Sequence, residues 1–223
     1  MTKKEIVQYL KQNMPTFTGN KIEKEKKMAM YIYLELGKMK AFDEKYFFGN
    51  SKTKDKIYKM AKCAKYNVDS VAQKKKIVCV SLTYLCKSIY SEFGIKSYIS
   101  TPNGGDKHIY NIIQFSDGKN IKADLQQDLS NIQTKSRTTS FAQGYDCAEE
   151  NLDVFSNEEI YEIQRQLGYV NDSSEYMDEK IRDLTNKVKD LPPDKLLETV
   201  INDKEISRCN EQLEYIELYK HYR

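Results

Sequence analysis

Histidine and paired cysteine are scarce in this sequence, and the scarcity limits its chemistry. Only two histidines occur among 223 residues, His108 and His221, and the five cysteines (Cys63, Cys79, Cys86, Cys147 and Cys209) form no C-x-x-C pair. Zinc centres need closely spaced Cys and His ligands, and calcium loops need spaced oxygen ligands. Neither pattern is present, so no metal and no cofactor is expected. An odd number of unpaired thiols suits a reducing compartment, so the expected address is the cytoplasm. The opening "MTKKEIVQYLKQN" lacks the uninterrupted apolar core of a signal peptide. Delivery to a host cytosol by a route that leaves no readable signal fits equally well. No apolar run approaches the ~18–20 residues of a membrane span, and nothing repeats at a fixed period, which argues against a solenoid.

What is present suits one sizeable core: 39% of residues are hydrophobic and 31% charged. The net charge of +3 is unevenly spread. Residues 1–110 hold 22 Lys and Arg against 10 Asp and Glu, and residues 111–223 hold 14 against 23. Complementary surfaces docking within one fold are the simpler explanation. A basic face for an acidic partner is the other. Nucleic acid is disfavoured as that partner, because the basic residues lie on several elements without interleaved stacking aromatics.

Local signals divide the chain into helices around a short stretch of strands. Thr2 and Glu5 have capping-box spacing at the start of a first helix. Residues 21–41 place Met28, Ile32, Leu36 and Met39 at helical period. Residues 52–67 predict another helix, with Ile57, Met60, Ala61 and Ala64 facing inward. After Cys79 comes the most apolar helix, with Cys79, Leu82, Cys86, Ile89 and Phe93 on one stripe, flanked by Leu85, and Gly94 placed to stop it. Three strands are expected at 95–100, 108–115 and 119–125, the last two joined by Ser116-Asp117-Gly118, a hairpin signal. A Gly-rich loop, 101–107, precedes His108. Ser156 and Glu159 open a later helix that closes on Gly168. Beyond Pro192-Pro193, Leu196, Leu197, Val200, Ile201, Leu213, Ile216 and Leu218 call for a surface to bury against.

The order of three residues points to chemistry: Cys79 heads a helix, His108 opens a strand, and Asp124 lies in the next. A thiol nucleophile needs a base, and the base needs a third group to fix its tautomer. A helix N-terminus lowers a thiol's pKa, and Lys74, Lys75 and Lys76 just upstream push the same way. A two-residue turn at Asp117-Gly118 would put His108 and Asp124 on opposite faces. A three-residue turn with a left-handed Gly118 pairs Phe115 with Lys119 and Tyr110 with Asp124, making His108 and Asp124 diagonal neighbours on one face. Asp128, a little further along, is the alternative partner. Free cysteines are usually core residues, and Cys63, Cys86, Cys147 and Cys209 are read so. The backbone N–H of Cys79 is one candidate oxyanion donor.

Residues 75–126 resemble the transglutaminase-like superfamily of papain-like thiol enzymes. Its members carry a nucleophilic Cys on a helix that ends about fifteen residues later in Gly-Ile, as Cys79 is followed by Gly94-Ile95. Their His opens a strand and their Asp lies in the next, where "HIYNII" and "IKADL" stand here. Ile77 stands where the family often has Gly, and Tyr110 where it often has Trp. The resemblance implies an α+β fold with a central helix packed on an antiparallel sheet, plus N- and C-terminal helices. It assigns residues 1–150 to a catalytic domain and leaves 151–223 as a helical extension packed on it. It implies that Cys79, His108 and Asp124 act on an amide of a protein or peptide through a thioester. Gln73, six residues upstream, has the spacing of the papain-like oxyanion glutamine, against the commoner role of a surface residue. Because the chain has no tryptophan, it does not match the tryptophan-walled tunnel of crosslinking relatives. Hydrolysis (proteolysis, isopeptide cleavage or deamidation) is therefore expected ahead of amine transfer. A catalytically inactive interaction module of the same fold is the rival from another class.

Overall fold

Helix α1 (Lys3–Asn13) starts where the sequence says it should. The Thr2 hydroxyl accepts from Glu5 N, and the Glu5 carboxylate accepts from Thr2 N. The same reciprocal cap, from Asn20 and Glu23, opens α2 (Lys21–Met39). The structure is a computed structural model, described here for residues 1–169 apart from 44, 47–48, 102–107, 136 and 144–150. Residues 170–223, the loop 102–107, and the expectations for Cys147 and Cys209, lie outside the described residues.

The chain continues through β1 (Ala41–Phe42), α3 (Ser51–Lys62), a 3-10 turn at Cys63–Lys65, and α4 (Val68–Ala72). Strand β2 (Lys76–Ile77) leads into α5 (Cys79–Glu92), then β3 (Lys96–Ser100), β4 (Tyr110–Gln114), β5 (Asn120–Ala123), α6 (Leu125–Gln133) and α7 (Asn157–Gln166). Strands β3, β4 and β5 form an antiparallel meander, while β1 and β2 pair in parallel. The architecture is therefore mixed helix and sheet. None of the described helices is long and apolar enough to cross a membrane.

Helix α5 packs against β3 and β4 on one side and against α2, α3 and α4 on others. Cys79, Leu82, Leu85, Cys86 and Ile89 are buried, as the apolar stripe predicts, whereas Phe93 is only half-buried and Tyr90, outside the stripe, is buried too; Gly94 ends the helix at φ +73°. Helix α2 departs from its expected one-sided stripe, because every residue from Ala29 to Gly37 is buried. Helices α5, α6 and α7 all contact it, and a helix covered on several sides carries apolar residues all round. Met60, expected inside, is 49% exposed. The inward stripe of α3 instead runs through Ile57, Tyr58 and Ala61, and continues to Ala64 in the 3-10 turn.

One compact unit runs from Met1 to Tyr169. Long-range polar contacts bind α7 to it. Glu35 accepts from the Tyr169 hydroxyl at 2.5 Å and from Tyr9 at 3.1 Å. Gln164 Oε1 accepts from Thr138 N at 3.0 Å, and Lys26 pairs with Glu159 at 2.6 Å. Burial, then the Glu35 carboxylate, pushes the Tyr169 hydroxyl far above the ordinary phenol range, so it donates throughout the physiological range.

Gly37 marks a close approach of α2 and α6. A Cβ there would lie 2.4 Å from Ile132 Cδ1 and 3.0 Å from its Cγ2. Alanine would add about 1 kcal/mol of helix propensity, but overpacking costs about 1–3 kcal/mol. Gly37→Ala is therefore expected to lower the urea midpoint, and Ile132→Val, which removes Cδ1, to restore most of the loss. A urea midpoint for Gly37→Ala above that of wild type would refute this packing.

Candidate active site

Backbone clamps deliver Cys79 to its position. Lys40, just past α2, is buried, and its ammonium donates to Ala72 O at 2.6 Å and Lys74 O at 2.8 Å. Burial pulls this ammonium below the ordinary lysine range. Ala41 N then donates to Lys75 O (2.9 Å) and Asp43 N to Ile77 O (3.0 Å), fixing β2 beside β1. The chain turns at Val78 and begins α5 with Cys79 as its first residue, and no side chain caps this end. The Cys79 side chain thus sits in the first turn of α5.

Strand β4 begins at Tyr110, two residues later than expected, so His108 lies just ahead of it, and this segment is lashed to the same helix. The Thr83 hydroxyl donates to Ile109 O at 3.0 Å, and the Asn111 amide donates to Thr83 O and to Ser97 Oγ, both at 3.2 Å. The hairpin beyond takes the three-residue form. Gly118 has φ +89°, Phe115 N donates to Lys119 O at 2.9 Å, and Asn111 pairs with Ala123. Continuing that register sets Asp124 opposite Tyr110 and diagonal to His108. His108 Nε2 lies 2.5 Å from Asp124 Oδ2, and the Cys79 side chain is hydrogen-bonded to the same imidazole. With Nε2 engaged by the carboxylate, Nδ1 is the ring nitrogen left for the thiol.

Three of the four sequence-nominated residues are therefore together: Cys79, His108 and Asp124. Gln73 caps the C-terminal end of α4 through its backbone and is exposed. None of its described hydrogen bonds reaches the cluster. Asp128, the alternative to Asp124, faces elsewhere. It accepts from Thr139 N (2.7 Å), Ser140 N (2.9 Å), the Tyr33 hydroxyl (2.7 Å) and the Asn131 amide (3.2 Å). Ser140 O in turn accepts from Asp124 N at 3.1 Å, so Asp128 supports the strand end that presents Asp124.

Burial is the largest single influence on His108 and pulls its pKa down. Hydrogen bonds to Asp124 and Cys79, reinforced by their charges, outweigh it and lift the ring to about 10. The imidazole is thus held as a cation at neutral pH, the state that pairs with a thiolate. Lys122 adds a second buried cation, its Nζ 3.9 Å from Asp124 Oδ2 and 4.9 Å from the centre of the Tyr110 ring. No local signal marks Lys122, because a lysine in a strand is ordinarily solvent-facing.

Apolar and aromatic groups wall the thiol. Ala61, Val78, Cys79 and Val80 cluster with the half-buried Tyr46, Ile57, Tyr58, Tyr84 and Ile109. Burial, then the charge of Cys79, raises the Tyr46 hydroxyl. Sequence reading missed these tyrosines, since Tyr46 and Tyr58 lie on a different helical segment from Cys79 and carry no motif. Among the described residues, no group of His, Cys, Asp and Glu could hold a metal ion. The arrangement can hold a thiolate, an imidazolium and a carboxylate in series against an apolar wall. No family profile, curated protein or solved structure matches the chain.

Proposed function

We propose that the protein is a thiol enzyme of transglutaminase-like, papain-like type, acting on an amide of a protein or peptide. One observation carries the reading: a helix-heading cysteine hydrogen-bonded to an imidazole whose other nitrogen is held by a buried carboxylate. The Cys79 thiolate attacks the carbonyl carbon, and the electron pair moves to the carbonyl oxygen. As the tetrahedral adduct collapses, the C–N bond breaks, His108 gives its proton to the leaving amine, and a thioester remains. His108 then takes a proton from water, whose oxygen forms the new C–O bond as the C–S bond breaks. An amine in place of water would form a new amide instead. Hydrolysis is placed first because the chain has no tryptophan to wall an acyl-donor tunnel, an inference by family analogy.

The reading is tested by following iodoacetamide labelling of each cysteine against pH by mass spectrometry. Cys86 serves as the internal reference: it is buried, and burial pushes its thiol up to about 12. Cys79 is expected to label rapidly even below about pH 6, and Cys86 to stay slow. Cys79→Ala then serves to trap substrate from a lysate. Slow labelling of Cys79, matching Cys86, would sink the enzyme reading. One observation favours the rival, an inactive interaction module: Cys79 is only 4% exposed. The same labelling decides between them.

A further inference from the structure

The chain segments that border the candidate site are strongly basic. Between residues 51 and 76 the chain carries nine lysines (Lys52, Lys54, Lys56, Lys59, Lys62, Lys65, Lys74, Lys75 and Lys76) against Asp55 and Asp69. All nine are exposed. Among the described residues none of them is in an ion pair, whereas Lys3, Lys26 and Lys38 each meet a glutamate within 3.0 Å. Like charges left unpaired on neighbouring elements repel and cost stability, so their concentration asks for a counter-charge.

Their position ties them to the thiol. Five lie on α3, the helix whose Ile57, Tyr58 and Ala61 pack in the cluster that includes Cys79. Lys62 holds its ammonium 4.8 Å from the centre of the Tyr58 ring, at the edge of that cluster. Lys74, Lys75 and Lys76 lie on the segment that runs into Cys79 from the other direction. The aromatic wall of the site is thus bordered on two sides by uncompensated positive charge.

We infer that this surface docks an acidic segment of polypeptide and steers it toward Cys79. The inference rests on the thiol-enzyme reading: a thiol nucleophile acts at an acyl carbon, which polypeptides offer in every residue and nucleic acids lack. A clustered positive field raises the encounter rate of an anionic partner by about 10–10³-fold and loses its effect as salt shortens the screening length. Single lysine ammoniums are point charges without the planar fork of arginine, so they suit clustered carboxylates approached in varied geometry.

The test uses the whole chain and two cysteines that report separately. Cys63 is exposed within the lysine surface, between Lys62 and Lys65, and Cys79 is buried in the aromatic cluster beside it. Iodoacetamide labelling of both is followed with and without poly-L-glutamate, and binding of fluorescent poly-L-glutamate is measured by anisotropy. At about 20 mM salt the polymer is expected to slow labelling of both cysteines at least about fivefold, and the effect to vanish by about 300 mM. A Lys56→Glu, Lys59→Glu, Lys62→Glu triple variant, changed only at exposed positions, is expected to lose both binding and protection. Absence of binding, protection of neither cysteine, or undiminished protection in the triple variant would overturn the inference. So would equal protection by single-stranded DNA, which would make the surface a general polyanion site. If Cys79 labels slowly without polymer, the thiol-enzyme reading fails, while binding and the Cys63 footprint still report on the surface.

Discussion

Replacing His108 with alanine is expected to slow Cys79 alkylation at pH 6 by about 100-fold. A thiol of ordinary acidity, near pKa 8.5, is only about 0.3% thiolate at that pH, whereas a thiolate–imidazolium pair keeps most of the sulfur ionised. The roughly 300-fold difference in thiolate is partly offset, because a more acidic thiol gives a weaker nucleophile. The pH profile should change shape as well. With His108 held near 10, the wild-type rate is expected to be nearly flat from about pH 6 to about pH 9. The variant's rate should instead climb about tenfold per unit until its thiol titrates. Stability follows the same proton. His108 is raised from its ordinary 6.5 to about 10 on folding, so its stabilising contribution is complete below 6.5 and lost as pH rises through about 10. The gap in Tm between wild type and His108→Ala is therefore expected to shrink across that window. Matching alkylation rates for the two proteins at pH 6 would remove the imidazole from the site's chemistry.

The legible parts of the fold were those written in local signals. The caps at Thr2 and Ser156, the stop at Gly94 and the turn at Ser116-Asp117-Gly118 each depend on a few adjacent residues. The turn mattered most for the site. Once Gly118 is left-handed, the register of β4 and β5 follows, and with it the diagonal placement of His108 and Asp124. Helix α6 was not foreseen because its N-cap hides its signal. Asp124 stands at that N-cap, but its carboxylate turns to His108 and makes no capping bond. The run "KNIKADL" therefore reads as a strand to its end. Lys40 and Lys122 look like surface residues in sequence, yet both are buried by partners remote along the chain: carbonyls at 72 and 74 for one, the Asp124 carboxylate and Tyr110 ring for the other. The contact of Tyr169 with Glu35 was invisible for the same reason, since the two lie 134 residues apart. Periodicity reports which face of an element is apolar, but not how many neighbours will cover it, which is why α2 proved buried all round.

Asp128→Ala is expected to be the most destabilising of the single changes considered, by about 3–5 kcal/mol, because it strips a buried carboxylate from donors arranged around it. Two of those donors, Thr139 N and Ser140 N, belong to backbone that cannot turn away, and the Tyr33 hydroxyl is fully buried with them. Asp128→Asn should do less harm. Its remaining oxygen can satisfy one of the two backbone groups, Tyr33 can rotate its hydroxyl to accept, and only one N–H is left facing an NH₂. The two variants also separate stability from site geometry. If Asp128 supports Asp124 through Ser140, a folded Asp128→Asn protein should still show slowed Cys79 labelling at pH 6, since the Ser140 O contact to Asp124 N loosens. The pH dependence has a definite sign. Burial raises the Asp128 carboxyl above its ordinary value, against the opposing pull of its hydrogen bonds. Its contribution is therefore complete below the unfolded pKa and declines as pH rises through the folded one. The stability gap between wild type and Asp128→Asn should accordingly narrow from acid toward neutral pH in urea titrations. A gap that widens would mean that the ionised carboxylate is the better-held form. The hydrogen bonds from Thr139, Ser140, Tyr33 and Asn131 would then outweigh the burial they share.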